Sequence, residues 1–256
     1  MSDEPIARTR PRAVRPHIRA RVPDTAMILA AGLGTRMTPL TDDRPKALVE
    51  VGGQTLIDRI LDRLQHSGVR RVVVNCHAHA GRLIAHLEAR KGGLEILISD
   101  ERARLLDTGG GLRAALDMLG EKPFFAINCD ALWTDGLADT LLQLAGGWDG
   151  RRMDGLLLTV PSYRATGYGG RGDFDMDGLG RLSWPDTPRV VPHVYAGLQI
   201  LAPRAIAAID DAVFPLRRVW DRSIDSGRLY GMVHDGGWAH VGTPDAVALA
   251  ERSLLQ

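Results

Sequence analysis

The sequence predicts an α/β fold: a Rossmann-like, mostly parallel sheet with helices on both faces. Three observations carry the prediction. Apolar runs of strand length alternate with stretches of helical periodicity through the first half of the chain. The first of these runs opens directly onto a glycine loop, and from Met153 onward short β segments with glycine-rich turns replace the alternation. A helix between two strands returns the chain to the same end of the sheet, so repeated alternation implies parallel neighbours.

The first strand is read at 27–31, an apolar run without charge that suits a strand buried on both faces. It runs into Gly32-Leu33-Gly34-Thr35-Arg36, whose bare backbone amides can approach phosphate oxygens closely. Leu56, Ile57, Ile60, Leu61 and Leu64 then recur at helical spacing, and Ser67-Gly68 stops that helix. A strand at 69–76, a helix near 81–90, a strand at 94–99, a helix at 112–119 and a strand at 123–129 continue the pattern. In the second half, strands are expected at 155–160 and 194–201, a helix around 216–224, and strands at 228–234 and 238–241. A terminal helix starts at Pro244, with Asp245 in the first turn where the helix dipole favours an anion.

At 256 residues and 45% hydrophobic content, one large domain is the simpler expectation, spanning 25–256. Before it, residues 1–24 read as a flexible basic arm in which Arg8, Arg10, Arg12, Arg15, Arg19 and Arg21 alternate with prolines. A net charge of +1 gives no long-range field for nucleic acid, so local charges binding a small anion are expected instead. No apolar run reaches membrane-spanning length and the N-terminal segment lacks the apolar core of a signal peptide, so no membrane association and a cytoplasmic location are expected. Cys76 and Cys129 form no CxxC pair and end apolar runs, which reads as two inert core thiols.

Two common glycine-loop classes are excluded by the residues present. No Gly-Lys-Ser/Thr follows as in a Walker loop, and Met37 stands where a dinucleotide fingerprint has its third glycine. What remains is a loop carrying Arg36, with Lys46 ten residues on, a pair of cations suited to a triphosphate. This G-x-G-T-R-M-x-P-L-T segment with its following Pro45-Lys46 resembles the signature of the sugar-1-phosphate nucleotidyltransferases, and the resemblance extends from about Thr25 to the C-terminus.

The resemblance implies a nucleotidyltransferase (GT-A-like) fold with a nucleotide-binding half at 25–150 and a sugar-binding half at 151–256, the latter a small β-rich insertion. It implies nucleoside triphosphate contacts from Leu29, Ala30, Ala31, Gly32, Gly34, Thr35, Arg36 and Lys46, with Arg36 and Lys46 catalytic. The Asp107-Thr108-Gly109-Gly110-Gly111 segment is similar to the family's base-reading loop, with Gly109 and Gly110 against the base. Asp107 has an equally simple reading as a helix cap.

Asp130, ending the strand at 123–129, stands where the family places its metal-binding aspartate, and Asn128 on the same face would reach the sugar. Capping a following helix is the alternative for Asp130. The implied cofactor is magnesium, with manganese as the alternative. Where the family commonly has Trp-x-Asp-x-Gly-Thr-Pro, this chain has His240 in place of the aspartate. Three outcomes are open: His240 ligates the metal and shifts its preference, His240 contacts a phosphate, or Asp130 holds the metal with water in the missing place. His77, His79 and His86 show no metal-ligand spacing and read as surface or structural.

Gly170-Arg171-Gly172-Asp173-Phe174 looks most like a stretch of the N-acetylmuramate-1-phosphate uridylyltransferases, which serve cell-wall sugar recycling. That assigns Gly172, Asp173 and, in a second similar strand, Gly197 to the sugar; a charged turn is the plainer reading of Arg171 and Asp173. The reaction implied is transfer of a nucleoside monophosphate, UMP from UTP being favoured, to a sugar 1-phosphate. Mannose or glucose 1-phosphate with GTP or another triphosphate is the rival, a silent nucleotide-sugar-binding regulator the rival of another class. Oligomeric state is not legible.

Overall fold

The computed structural model describes residues 20–254, so most of the arm expected at 1–24 lies outside the described residues. The chain opens with β1 (Thr25–Leu29), crosses the glycine loop, and forms a short hairpin of β2 (Glu50–Val51) and β3 (Gln54–Thr55). Helix α1 (Leu56–His66) follows, capped by the Thr55 hydroxyl, which accepts the Asp58 amide at 3.2 Å. Then come β4 (Arg71–Cys76), α2 (Ala80–Ala89), β5 (Glu95–Asp100), α3 (Asp107–Ala114), α4 (Leu116–Leu119), β6 (Phe124–Asn128) and β7 (Ala131–Trp133). Helix α5 (Thr140–Gly147) leads to β8 (Gly155–Pro161), the small ribbon of β9 (Asp175–Met176) and β10 (Leu182–Ser183), and the long β11 (His193–Leu201). The chain closes with α6 (Pro203–Ala207), α7 (Arg217–Asp225), β12 (Leu229–Val233), β13 (Trp238–His240) and α8 (Pro244–Leu254).

Seven strands form one sheet in the order β12-β8-β11-β6-β1-β4-β5. All its neighbours are parallel except those of β11, which runs antiparallel to both β6 and β8. The alternation read from the sequence is thus a mainly parallel sheet, and both halves of the chain contribute strands to it.

Successive side chains of a strand point to opposite faces, and the core divides accordingly. Ala26, Ile28, Val72, Val74, Phe125 and Ile127 pack under α1, α2 and α5. Met27, Leu29, Val73, Phe124 and Ala126 face α3, α4, α6 and α7. Helix α1 presents Ile57, Ile60, Leu61 and Leu64 to the first face, the stripe visible in its spacing.

One expected element differs. The glycines at 109–111, expected in a loop before a helix at 112–119, lie inside α3, and the helical stretch is interrupted at Ala115. Glycine is a poor helix former, so local propensity points the wrong way here and tertiary packing overrides it. A Cβ on Gly109 would sit 2.4 Å from the Phe214 ring, and one on Gly110 would sit 2.4 Å from the Ala212 carbonyl oxygen. The helix approaches the 212–214 segment so closely that only glycine fits.

Candidate active site

The carboxyl ends of β1, β4 and β6 open into a cavity of about 630 Å³. Ligands in open α/β sheets bind beyond these strand ends, because the diverging connections leave a crevice there. One wall is the segment after β1, including Gly32, Gly34, Thr35 and Arg36; Leu29, Ala31 and Lys46 complete it. The facing wall holds Glu101, Leu105, Asp107 and Thr108, and the floor carries Asn128, Cys129 and Asp130.

The loop's shape follows from its glycines and one threonine. Gly34 adopts a left-handed φ of 68°, which L side chains avoid, and Thr41 Oγ1 donates to the Gly34 carbonyl at 2.9 Å. Burial of Met37 anchors the single turn Thr35–Met37, so Arg36 is carried on a braced rim. Among the described residues, Arg36 has no side-chain hydrogen bond or ion pair. A guanidinium carried on a braced backbone at a cavity wall, with no partner among the described residues, suits an anionic ligand.

Lys46 is placed differently. It starts a short turn after Pro45, its neighbour Ala47 is fully buried, and its ammonium meets Asp130 Oδ2 at 2.7 Å. Antiparallel pairing of β13 with β7 sets His240 opposite Ala131, and His240 Nε2 lies 3.2 Å from the same Asp130 oxygen. Residues 46, 130 and 240 therefore converge from three distant parts of the chain. Burial alone would raise the Asp130 carboxyl, but the His240 hydrogen bond and the Lys46 ammonium outweigh it and hold the group well below the usual carboxylate range. No helix follows Asp130, since β7 begins at the next residue, so the capping alternative falls away.

The donor chemistry around Asp130 fits a divalent cation. An ionised carboxylate and an imidazole offer two protein ligands, and no group of three or more His, Cys, Asp or Glu suited to a metal occurs among the described residues. Magnesium commonly keeps several waters and takes its remaining oxygens from substrate phosphates, so two protein donors suffice. Cys129, beside Asp130, is buried, and its thiol is pushed up to about 12 by burial and then by the Asp130 carboxylate.

The expected site residues divide. Leu29, Ala31, Gly32, Gly34, Thr35, Arg36, Lys46, Asn128 and Asp130 line the cavity; Ala30 and His240 do not, although Gly242 beside the His240 ring does. Gly109 and Gly110 do not line it, and both their amides donate to the Phe214 carbonyl, at 2.9 and 3.0 Å. The preceding Asp107 does line the cavity, and its left-handed φ of 62° turns the chain into the helix there. Asp107 is not the N-cap, which is Leu106; its Oδ1 accepts the Thr108 amide at 2.6 Å.

Gly172, Asp173 and Gly197 also lie off this cavity. Asp173 accepts the Tyr195 amide at 2.8 Å through one oxygen and the Tyr168 hydroxyl at 3.1 Å through the other. Gly172, at φ 87°, has the Val191 carbonyl 2.2 Å from where a Cβ would stand. Gly197 marks a bulge in β11, at φ 79°, where a Cβ would meet Ala131 at 2.8 Å and Asn128 at 3.4 Å. Of these three, Gly197 is the one that brings the second half of the chain against the cavity floor.

Asn75 and Glu101 line the cavity, although nothing in the sequence marks them as site residues. The remaining histidines take structural places: His86 pairs with Asp58 at 2.8 Å, His77 Nδ1 lies 2.7 Å from the Glu101 carbonyl, and His79 adopts a left-handed φ of 52° before α2.

The MobA-like NTP transferase domain family matches residues 26–164, which contain every strand end that forms the cavity. The N-acetylmuramate alpha-1-phosphate uridylyltransferase of Caulobacter vibrioides is 43% identical over 240 residues, covering 93% of this chain and 99% of the relative. The protein of the same description from Neisseria meningitidis serogroup B is 35% identical over 229 residues, covering 85% and 93%. Among solved structures, the inositol-1-phosphate CTP transferase from T. maritima superposes with a TM-score of 0.72 at 15% identity, covering 91% of this chain and 97% of that one, a likeness of fold.

Proposed function

This chain belongs to the MobA-like NTP transferase family, and from that premise we propose that it transfers UMP from UTP to N-acetylmuramic acid 1-phosphate, giving the UDP-sugar and pyrophosphate. The observation that carries the reading is the convergence of an unpaired Arg36, Lys46 and the ionised Asp130 on one glycine-walled cavity, in a chain with full-length likeness to two uridylyltransferases. We further propose that residues 25–256 act as one unit, 25–150 taking the nucleotide and 151–256 the sugar.

In this reading a sugar-phosphate oxygen forms a bond to the α-phosphorus, and the bond from that phosphorus to the bridging oxygen of the β-phosphate breaks. The nucleophile needs no protein base, because a phosphate monoester with a second pKa of about 6 is mostly dianionic at neutral pH. What the protein must supply is alignment of two anions and charge for the departing pyrophosphate. The backbone amides of Gly32 to Thr35 and the Arg36 guanidinium bind the triphosphate. Lys46 holds its charge between the phosphates and Asp130, and Asn128 orients the acceptor. Asp130 and His240 would hold a divalent cation, magnesium or manganese, which when bound would screen the repulsion between the two phosphates.

The test is pyrophosphate release across UTP, GTP, CTP, ATP and dTTP paired with N-acetylmuramate, N-acetylglucosamine, glucose and mannose 1-phosphates, in magnesium and then manganese. Release confined to UTP with N-acetylmuramate 1-phosphate is expected; release with mannose 1-phosphate and GTP instead would replace both substrates. His240→Asp is expected to lower the magnesium concentration needed for half-maximal rate. An unchanged metal titration would remove His240 from the metal.

A further inference from the structure

Strand β1 ends at Leu29 while β4 continues to Cys76, so the chain leaving β1 loses its ladder partner just where the phosphate-facing loop begins. A side chain takes over. Asn75 Oδ1 accepts the Ala30 amide at 2.7 Å and the Ala31 amide at 3.3 Å, fixing the first two residues beyond the strand. Its Nδ2 donates to Glu101 Oε1 at 2.7 Å, and Glu101 Oε2 accepts the Leu106 amide at 3.2 Å from the opposite wall. Both side chains are 3% exposed, so their bonds are sheltered from competing water.

The chain of bonds runs from residues 30 and 31, through Asn75 and Glu101, to residue 106. It spans the cavity from the loop that begins the phosphate wall to the residue before Asp107. Its polarity is fixed: Asn75 must accept toward the loop and donate toward Glu101, which as a carboxylate only accepts. Gly111 leaves room for it, since a Cβ there would stand 2.6 Å from Glu101 Oε1 and 2.8 Å from Asn75 Nδ2.

We propose that Asn75 and Glu101 form a positioning pair that holds the two walls of the nucleotide cavity at a fixed separation, so that the triphosphate and base ends of one nucleotide are seated together. The inference rests on the nucleotide reading given above. The pair touches no reacting atom in this assignment; it acts through the backbone of residues 30, 31 and 106.

Polarity gives a discriminating test. Asn75→Asp keeps the acceptor for Ala30 and Ala31 but sets two carboxylates face to face. Glu101→Gln, in turn, leaves the 101 side chain one acceptor oxygen for two donors. Asn75→Asp combined with Glu101→Gln reverses the direction of the middle hydrogen bond and restores all the others. Steady-state rates with UTP and N-acetylmuramate 1-phosphate, and UTP affinity by calorimetry, are measured on folded protein confirmed by circular dichroism. Each single variant is expected to raise KM and Kd for UTP and lower kcat, by about tenfold or more in kcat/KM, with KM for the sugar phosphate unchanged. The double variant is expected to recover most of that loss.

A double variant no better than the product of the singles overturns the pair, as do singles whose UTP affinity matches the unmodified protein. If Asn75→Asp alone does not fold, Glu101→Gln and the double variant carry the same comparison. An unmodified protein that binds no nucleoside triphosphate would overturn the nucleotide reading itself, a result separable from altered or unaltered variants of an active enzyme.

Discussion

Two motif residues, Arg36 in the first half of the chain and Asp173 in the second, keep their polar groups in different states. In the first half, Arg36 projects from a braced rim without a partner among the described residues, while Lys46 and Asp130 meet at 2.7 Å over the cavity floor. In the second half, Asp173 has both oxygens occupied by the chain's own donors, and Gly172 is committed to close packing under Val191. The difference teaches that a motif can mark a residue because the ligand needs it or because the fold does. Unspent hydrogen-bonding capacity separates Arg36 from Asp173.

Lys46→Met gives the sharpest test of the first half. It removes a charge that both lines the cavity and pairs with Asp130, and turnover is expected to fall by about 10³-fold. A fall of only a few fold in single-turnover assays would strip Lys46 of its role. Arg36→Ala comes next, with a loss of roughly 10²-fold in kcat. Because Arg36 spends nothing on the fold, its thermal midpoint is expected to stay within about 2 °C of the unmodified protein.

Asp173→Ala should show the opposite profile. Two donors, the Tyr195 amide and the Tyr168 hydroxyl, lose their acceptor, at a cost of about 1–3 kcal/mol in denaturant unfolding. The KM for UTP is expected to hold. If unfolding is instead unchanged while the KM for the sugar phosphate rises tenfold, Asp173 serves the acceptor and the contrast between the halves fails.

The smallest expected effect concerns acid. Burial lowers the pKa of His234 and of His193, both in the second half, so each folded form resists protonation. The unfolded chain binds those protons at its ordinary histidine value of about 6.5, so the stabilisation is present above that pH and is lost as pH falls below it toward the folded value. Depressed carboxylates such as Asp58 and Asp135 act only lower, below about pH 4. The thermal midpoint should therefore drop between pH 7 and pH 5, and His234→Gln should flatten that slope; an identical slope would place the titration elsewhere.

Much of the architecture is legible from sequence because its signals are local. Apolar runs such as 27–31, the α1 stripe from Leu56 to Leu64 and the strand-end Asp130 carry their own periodicity or position. The loop from Gly32 to Lys46 is legible because its glycines and cations are contiguous. What stays hidden depends on distant neighbours. Gly109 to Gly111 suggest a loop by propensity, yet their reason is the approach of Phe214, Ala212, Glu101 and Asn75. Asn75 is a single polar residue near the end of an apolar strand and Glu101 one charge in the Asp100-Glu101-Arg102 run at the end of β5, with no spacing to betray either. The small Trp133–Trp238 pairing that delivers His240 to Asp130 likewise leaves no mark in either segment alone.

Cys129 shows how an active site can contain sulfur without being at its mercy. With the thiol pushed up to about 12 by burial, thiolate, the form that alkylating agents and peroxides attack, is scarce at neutral pH. The cavity floor is thereby chemically quiet toward oxidants and iodoacetamide at the residue between Asn128 and Asp130.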